Sequence, residues 1–201
     1  TVVYPPVELS RFYPATRSSR EGYYLYLGAL VPYKKADIAV KAFTDLGLPL
    51  VVAGTGPQEE KLKSIAGSNI TFKGRVGDAE IPDLYAKAKA FVFPGEEDFG
   101  ITPLEAQASG TPVIALGRGG ALETIRPRTD DDPGTGLFFE EPTVQALSTA
   151  VKFFEKQKCD EAMVPNALHA WSGAFDVSEF EQNLKEGILA ALPQGFENPF
   201  L

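Results

Sequence analysis

The sequence predicts an α/β fold in which a parallel sheet is flanked by helices and followed by a helical C-terminal region. Between Tyr23 and Phe139, short apolar runs alternate with segments of helical pattern, as right-handed β–α–β units around a parallel sheet do. Beyond about Thr143 the pattern becomes wholly helical. The 201 residues, 44% hydrophobic and with 14 phenylalanines, provide material for one sizeable core.

Thr1 to Pro14 is extended and broken by prolines, and residues 15–22 are polar. Residues 1–22 therefore read as a linker-like segment entering a domain that spans 23–192. The start at Thr1, without Met, leader peptide or an apolar run of membrane-spanning length, reads as a cut within a longer chain. Strands are expected at Tyr23–Leu27, Leu48–Ala53, Ile70–Phe72, Ala90–Phe93, Val113–Leu116 and Leu137–Phe139. Helices are expected to begin near Lys35, Pro57, Asp78, Pro103, Gly120 and Thr143. The helical region reads as Val144–Lys156, Asp160–His169 and Val177–Leu192, the last with Phe180, Leu184, Ile188 and Leu192 on one apolar face. Residues 193–201 read as a loose tail, and no fixed-period repeat is present.

The net charge of −8, with no basic run, argues against a nucleic-acid partner and gives no polybasic membrane patch. One Cys and one His exclude a disulfide framework and an ordinary His/Cys metal site, and they fit a reducing compartment.

The chemistry concentrates in Phe91–Gly110, FVFPGEEDFGITPLEAQASG. Phe91-Val92-Phe93 reads as the end of a central strand, stopped by Pro94 and Gly95. Thr102-Pro103-Leu104-Glu105 reads as a helix start, with Thr102 as N-cap, Pro103 at the first helical position and Glu105 completing a capping box. Open α/β sheets hold ligands at the carboxyl ends of their strands, and the free N–H groups of a helix start favour phosphate. Glu97 in the loop and Glu105 in the helix have seven residues between them and could reach one small polar ligand.

In this frame EDFGITPLE, Glu97 to Glu105, resembles the E-x7-E signature of GT4-type retaining glycosyltransferases of GT-B fold, and the continuation AQASGTP fits as well. Four further loops stand in register with the family: Gly28 to Lys35, Gly54-Thr55-Gly56-Pro57, Gly74-Arg75-Val76 and Gly117 to Glu123. The resemblance covers about Thr1 to Phe180, and the wording is most similar to mannosyltransferase-like members.

The resemblance implies the Rossmann-like, donor-binding C-terminal half of a GT-B enzyme. Such an enzyme transfers a sugar, mannose foremost, from a GDP- or UDP-linked donor to a glycan or lipid-linked acceptor. The acceptor would be held by an N-terminal domain outside this chain, so the chain by itself would bind the donor without transferring it. No metal or other cofactor is implied, and the location implied is cytoplasmic, peripheral at the membrane face.

Residue by residue, Lys34 would neutralise the diphosphate and Glu97 would contact sugar hydroxyls, forming the catalytic pair. The main chain of Phe99, Gly100 and Ile101 would face sugar and phosphates. Thr102 would open the helix that stabilises the leaving nucleoside diphosphate, and Glu105 would hold the ribose. Gly28, Gly54 and Gly56 would allow close backbone approach, and Arg75 and Val76 would read the base edge. Ala29 departs from the pattern: many members carry there an arginine that faces the diphosphate, and Lys35, Arg75 and Arg118 are the substitutes at hand. The alternatives are a GT-B-type sugar-nucleotide epimerase or phosphorylase, and a non-catalytic nucleotide-binding module. Asp130-Asp131-Asp132, beside Pro133-Gly134, reads as a solvated turn rather than a metal-diphosphate motif. His169 and Trp171 read as packing residues.

Overall fold

The computed structural model describes residues 2–14, 16 and 20–192, so the expected tail at 193–201 and most of 15–19 lie outside the described residues. Six strands form one sheet: β1 Tyr24–Leu27, β2 Leu50–Ala53, β3 Ile70–Gly74, β4 Ala90–Phe93, β5 Val113–Leu116 and β6 Gly136–Phe139. Their order is β3-β2-β1-β4-β5-β6, and every neighbouring pair is parallel. β2 starts later than its apolar run because Pro49 has no N–H for the ladder, although its carbonyl still accepts from Tyr24 N at 2.8 Å.

Nine α-helices are found among the described residues: α1 Ala36–Leu46, α2 Glu59–Ile65, α3 Ile81–Lys87, α4 Ile101–Ala108, α5 Ala121–Thr124, α6 Val144–Lys156, α7 Cys159–Ala162, α8 Pro165–Ser172 and α9 Val177–Ala191. Alternation along β1 feeds two cores, one on each face. Tyr24 and Tyr26 pack with Phe43 of α1 and Phe154 of α6. Leu25 packs with Tyr85 of α3, Phe91 and Leu104 of α4. At about 1.5–3 kcal/mol for each large apolar side chain fully buried, these two layers hold the sheet between them.

One expectation for the C-terminal region fails. Asp160–His169 is not one helix: Val164 is extended (φ −73°, ψ 125°) and Pro165 opens α8 at its first turn, because a residue before proline is pushed out of the helical region. The apolar face of α9 is not buried; Leu184 is 40% and Ile188 53% exposed, and no α9 residue is buried.

Residues 2–14, expected as a linker, are packed and turn through a short 3-10 helix at Leu9–Arg11. Val7, Leu9 and Phe12 are buried. Val7 N donates to Phe175 O at 2.8 Å, and Arg11 Nη2 donates to Asp78 O at 3.0 Å.

Candidate active site

Strand order reverses between β1 and β4, and at such a point a crevice opens beyond the carboxyl ends of the strands. The loops leaving these strands, 28–35 and 96–100, meet there. They enclose a cleft of about 730 Å³ whose lining includes Lys34, Glu97, Phe99, Gly100, Ile101 and Thr102. Lys34 Nζ donates to Glu97 Oε1 at 2.8 Å, with the side chains 20% and 23% exposed. A half-buried ammonium and carboxylate thus hold each other at the mouth of the cleft.

Lys34 closes a 3-10 turn, Pro32–Lys34, rather than opening a helix. Lys35 then reverses the chain with φ 54°. Non-glycine residues adopt that conformation at a cost of about 1–3 kcal/mol, and such strain gathers at functional sites. Below this loop, the buried Tyr26 hydroxyl donates to Ala29 O at 3.4 Å. Burial first, and the Glu97 charge next, push its phenol well above the ordinary value, so it stays a neutral donor.

The loops reach this arrangement because glycines let backbones touch. A Cβ at Gly54 (φ 133°) would stand 1.9 Å from Gly28 O, and one at Gly56 would stand 2.6 Å from Leu30 O. The close approach these two residues permit is therefore to the neighbouring loop backbone, behind the cleft. Gly120 N donates to Glu97 O at 2.8 Å, and a Cβ at Gly120 would stand 2.2 Å from Phe99 Cα. The glycines of the Gly117–Gly120 run thus shape the 96–100 loop.

The helix start differs from the expected capping box. α4 begins at Ile101 with Gly100, at φ 86°, as N-cap and without a side-chain cap bond. Thr102 is the second helical residue and Pro103 the third, where a missing N–H costs nothing. The local Thr-x-x-Glu pattern is thus overridden by a glycine that turns the chain one residue earlier. The uncapped N–H groups of Ile101 and Thr102 lie at the cleft, a setting that suits an anion.

Glu105 lies outside the cleft lining and accepts from the Tyr85 hydroxyl at 3.1 Å through Oε2. Burial raises its pKa; the Tyr85 bond and Arg11 oppose that shift, and Asp78 adds to it. Gly28 adjoins Lys34: a Cβ there would sit 3.6 Å from Lys34 Cδ. Arg75 and Val76 follow β3 at the far end of the same strand-end edge, joined to the Gly54 turn through Gly54 N to Gly74 O at 2.7 Å. Of the substitutes for the guanidinium missing at Ala29, Arg118 is turned to β6, donating to Glu140 O at 3.3 Å. Lys35 and Arg75 are exposed.

The remaining singled-out residues lie elsewhere. Asp130–Asp132 precede β6, at the opposite edge of the sheet from the cleft, and Asp132 Oδ1 accepts from Gly134 N at 2.9 Å to close a turn. His169 Nδ1 bonds Ala108 O at 2.6 Å, and Trp171 Nε1 donates to Thr124 O at 3.0 Å. Cys159 is buried, and burial raises its thiol pKa, which makes it a poor nucleophile.

The family described as glycosyl transferases group 1 matches residues 14–169. A GDP-mannose-dependent alpha-(1-6)-phosphatidylinositol monomannoside mannosyltransferase of Mycobacterium tuberculosis is 34% identical over 175 residues, covering 73% of this chain and 44% of that protein. A GDP-mannose-dependent monoacylated alpha-(1-6)-phosphatidylinositol monomannoside mannosyltransferase of Corynebacterium glutamicum is 32% identical over 170 residues, covering 71% of this chain and 43% of that protein. Among solved structures, sucrose-phosphate synthase from Thermosynechococcus elongatus superposes with a TM-score of 0.79 at 24% identity, over 96% of this chain and 53% of that one. The chain thus spans less than half the length of these curated relatives, and its fold is that of about half of a GT-B enzyme.

Proposed function

Because the chain belongs to the glycosyl transferases group 1 family, we propose that it is the donor-binding half of a retaining glycosyltransferase. The reaction moves a sugar, mannose foremost, from a GDP- or UDP-linked donor to a glycan or lipid-linked acceptor. The observation that supports this best is the Lys34–Glu97 ion pair, at 2.8 Å, beside the uncapped start of α4. A diphosphate entering the cleft replaces Glu97 as the partner of Lys34, and charge-assisted contacts of this kind are strong. Glu97, released, accepts from sugar hydroxyls. The N–H groups of Ile101 and Thr102 meet the negative charge that grows on the leaving diphosphate, as fixed donors that need no reorganisation.

In this reading Glu105 holds the ribose, and the main chain of Arg75 and Val76 meets the base. Lys34 and α4 supply the positive potential, so no divalent cation is needed. The acceptor is held by a further domain of the enzyme. The lipid acceptors named for the mycobacterial and corynebacterial relatives suggest a cytoplasmic enzyme working peripherally at a membrane; none of the helices among the described residues is long and apolar enough to cross one.

Thermal-shift screening with GDP-, UDP- and ADP-sugars, each with and without EDTA, tests the reading. A ligand at 100 times its Kd stabilises the native state by about 2.7 kcal/mol, so at least one sugar nucleotide should raise Tm regardless of EDTA. No shift with any of them would contradict the donor site. A shift abolished by EDTA and restored by magnesium would contradict the metal-free mechanism.

A further inference from the structure

The extended segment before β1 touches the candidate site directly. Pro5 lines the cleft. The ring of Tyr4 stacks on Phe99, with centroids 5.6 Å apart and an interplanar angle of 22°. The same ring packs on Phe175 at 5.5 Å, and Phe99 meets Phe175 at 5.9 Å. The Glu123 carboxylate in α5 raises the pKa of the Tyr4 hydroxyl. On either side the segment is anchored: Val7 N donates to Phe175 O at 2.8 Å, and Val3 lies against α9 at Gly187. Tyr4 is 36% exposed, so its ring is not part of the core that holds the fold together.

Phe99 is therefore held from two sides. Gly120 presses on its backbone, where no Cβ could fit, and Tyr4 covers its ring. The main chain from Phe99 to Ile101 can meet a sugar and a diphosphate only if that loop keeps one position, and a displacement of about 1 Å is enough to lose a hydrogen bond.

We propose that Tyr4 is a positioning residue of the donor site, its ring clamping Phe99 so that the Phe99–Ile101 main chain is in place for the sugar and diphosphate. This rests on the donor reading given above. By linkage the effect is reciprocal: a seated Tyr4 favours the donor, and a bound donor favours the seated segment. Trp171, the sole tryptophan, meets Phe175 at 6.2 Å and so reports on this aromatic cluster.

The test compares the chain with its Tyr4→Ala and Tyr4→Phe variants in titrations with GDP-mannose and with GMP, which lacks the sugar and second phosphate. Tyr4→Ala should weaken GDP-mannose binding about 3- to 10-fold, the scale of one aromatic pair, and GMP binding less than about 2-fold. Tyr4→Phe keeps the ring and should stay close to the parent protein. GDP-mannose should change Trp171 emission in the parent and much less in Tyr4→Ala. Tyr4→Leu gives the same comparison should the alanine variant not fold. Equal GDP-mannose affinity in parent and Tyr4→Ala, or equal losses for both ligands, would overturn the positioning role alone. If the parent binds neither, UDP-glucose and UMP take their places, and binding of none of the four would overturn the donor reading with it.

Discussion

Glu105 shows how a single residue separates binding from folding. Burial is the main cause of its raised pKa, with Asp78 adding to the shift and Tyr85 and Arg11 opposing it. In the donor reading the ionised carboxylate holds the ribose, so nucleotide affinity should rise as pH rises through this raised value. Stability runs the other way: a folded pKa above the unfolded one contributes stability that is fully present below the unfolded pKa and is lost as pH rises through the folded one. Glu105→Gln should therefore leave Tm at neutral pH unchanged or higher while weakening nucleotide binding by about 1.5–3 kcal/mol. Unchanged affinity in a folded variant would leave Glu105 with no ligand role. The sequence pattern marked Glu105 and Glu97, but it misjudged the capping of the helix that carries Glu105 and gave no sign that Glu97 pairs with Lys34. Thr-x-x-Glu is a local signal, and it could not register that Gly100 turns the chain first. The Lys34–Glu97 pair joins residues 63 positions apart, a contact decided by two loop paths that no spacing encodes.

At the scale of elements, strands were read more securely than loops. β4 and β5 have the expected bounds, Ala90–Phe93 and Val113–Leu116, because buried strands of a parallel sheet are continuous apolar runs. Helix breaks were less legible: Pro165 splits the expected Asp160–His169 helix, and the apolar stripe on α9 stays largely exposed. The loops after β1 and β2 depend on glycine in a way that a bare G-x-G does not disclose. Gly54→Ala should distort both loops, since it places a Cβ 1.9 Å from Gly28 O at φ 133°. The expected cost is about 2–4 kcal/mol from strain and clash, read as a lowered Tm together with weaker sugar-nucleotide binding. An unchanged Tm would show that the loops move apart freely and are not the rigid support described here.

For the molecule as a whole, the sheet order sets the function. Only the pair β1 and β4 brings loops 28–35 and 96–100 to a common crevice, and the strand–helix alternation predicted that such a crevice exists without saying which loops share it. The packing of segment 2–14 was not legible, because it comes from scattered aromatic contacts rather than a motif. The proposed function requires that this crevice take a nucleoside-diphosphate sugar whose diphosphate displaces Glu97 from Lys34. Calorimetric titration of the chain and of its Lys34→Ala variant with GDP-mannose, UDP-glucose and free guanosine tests it most directly. At least one sugar nucleotide should bind, and Lys34→Ala should reduce that affinity far more than any affinity for the nucleoside, because only a phosphate partner is removed. No binding of either sugar nucleotide, or equal losses for sugar nucleotide and nucleoside, would contradict it.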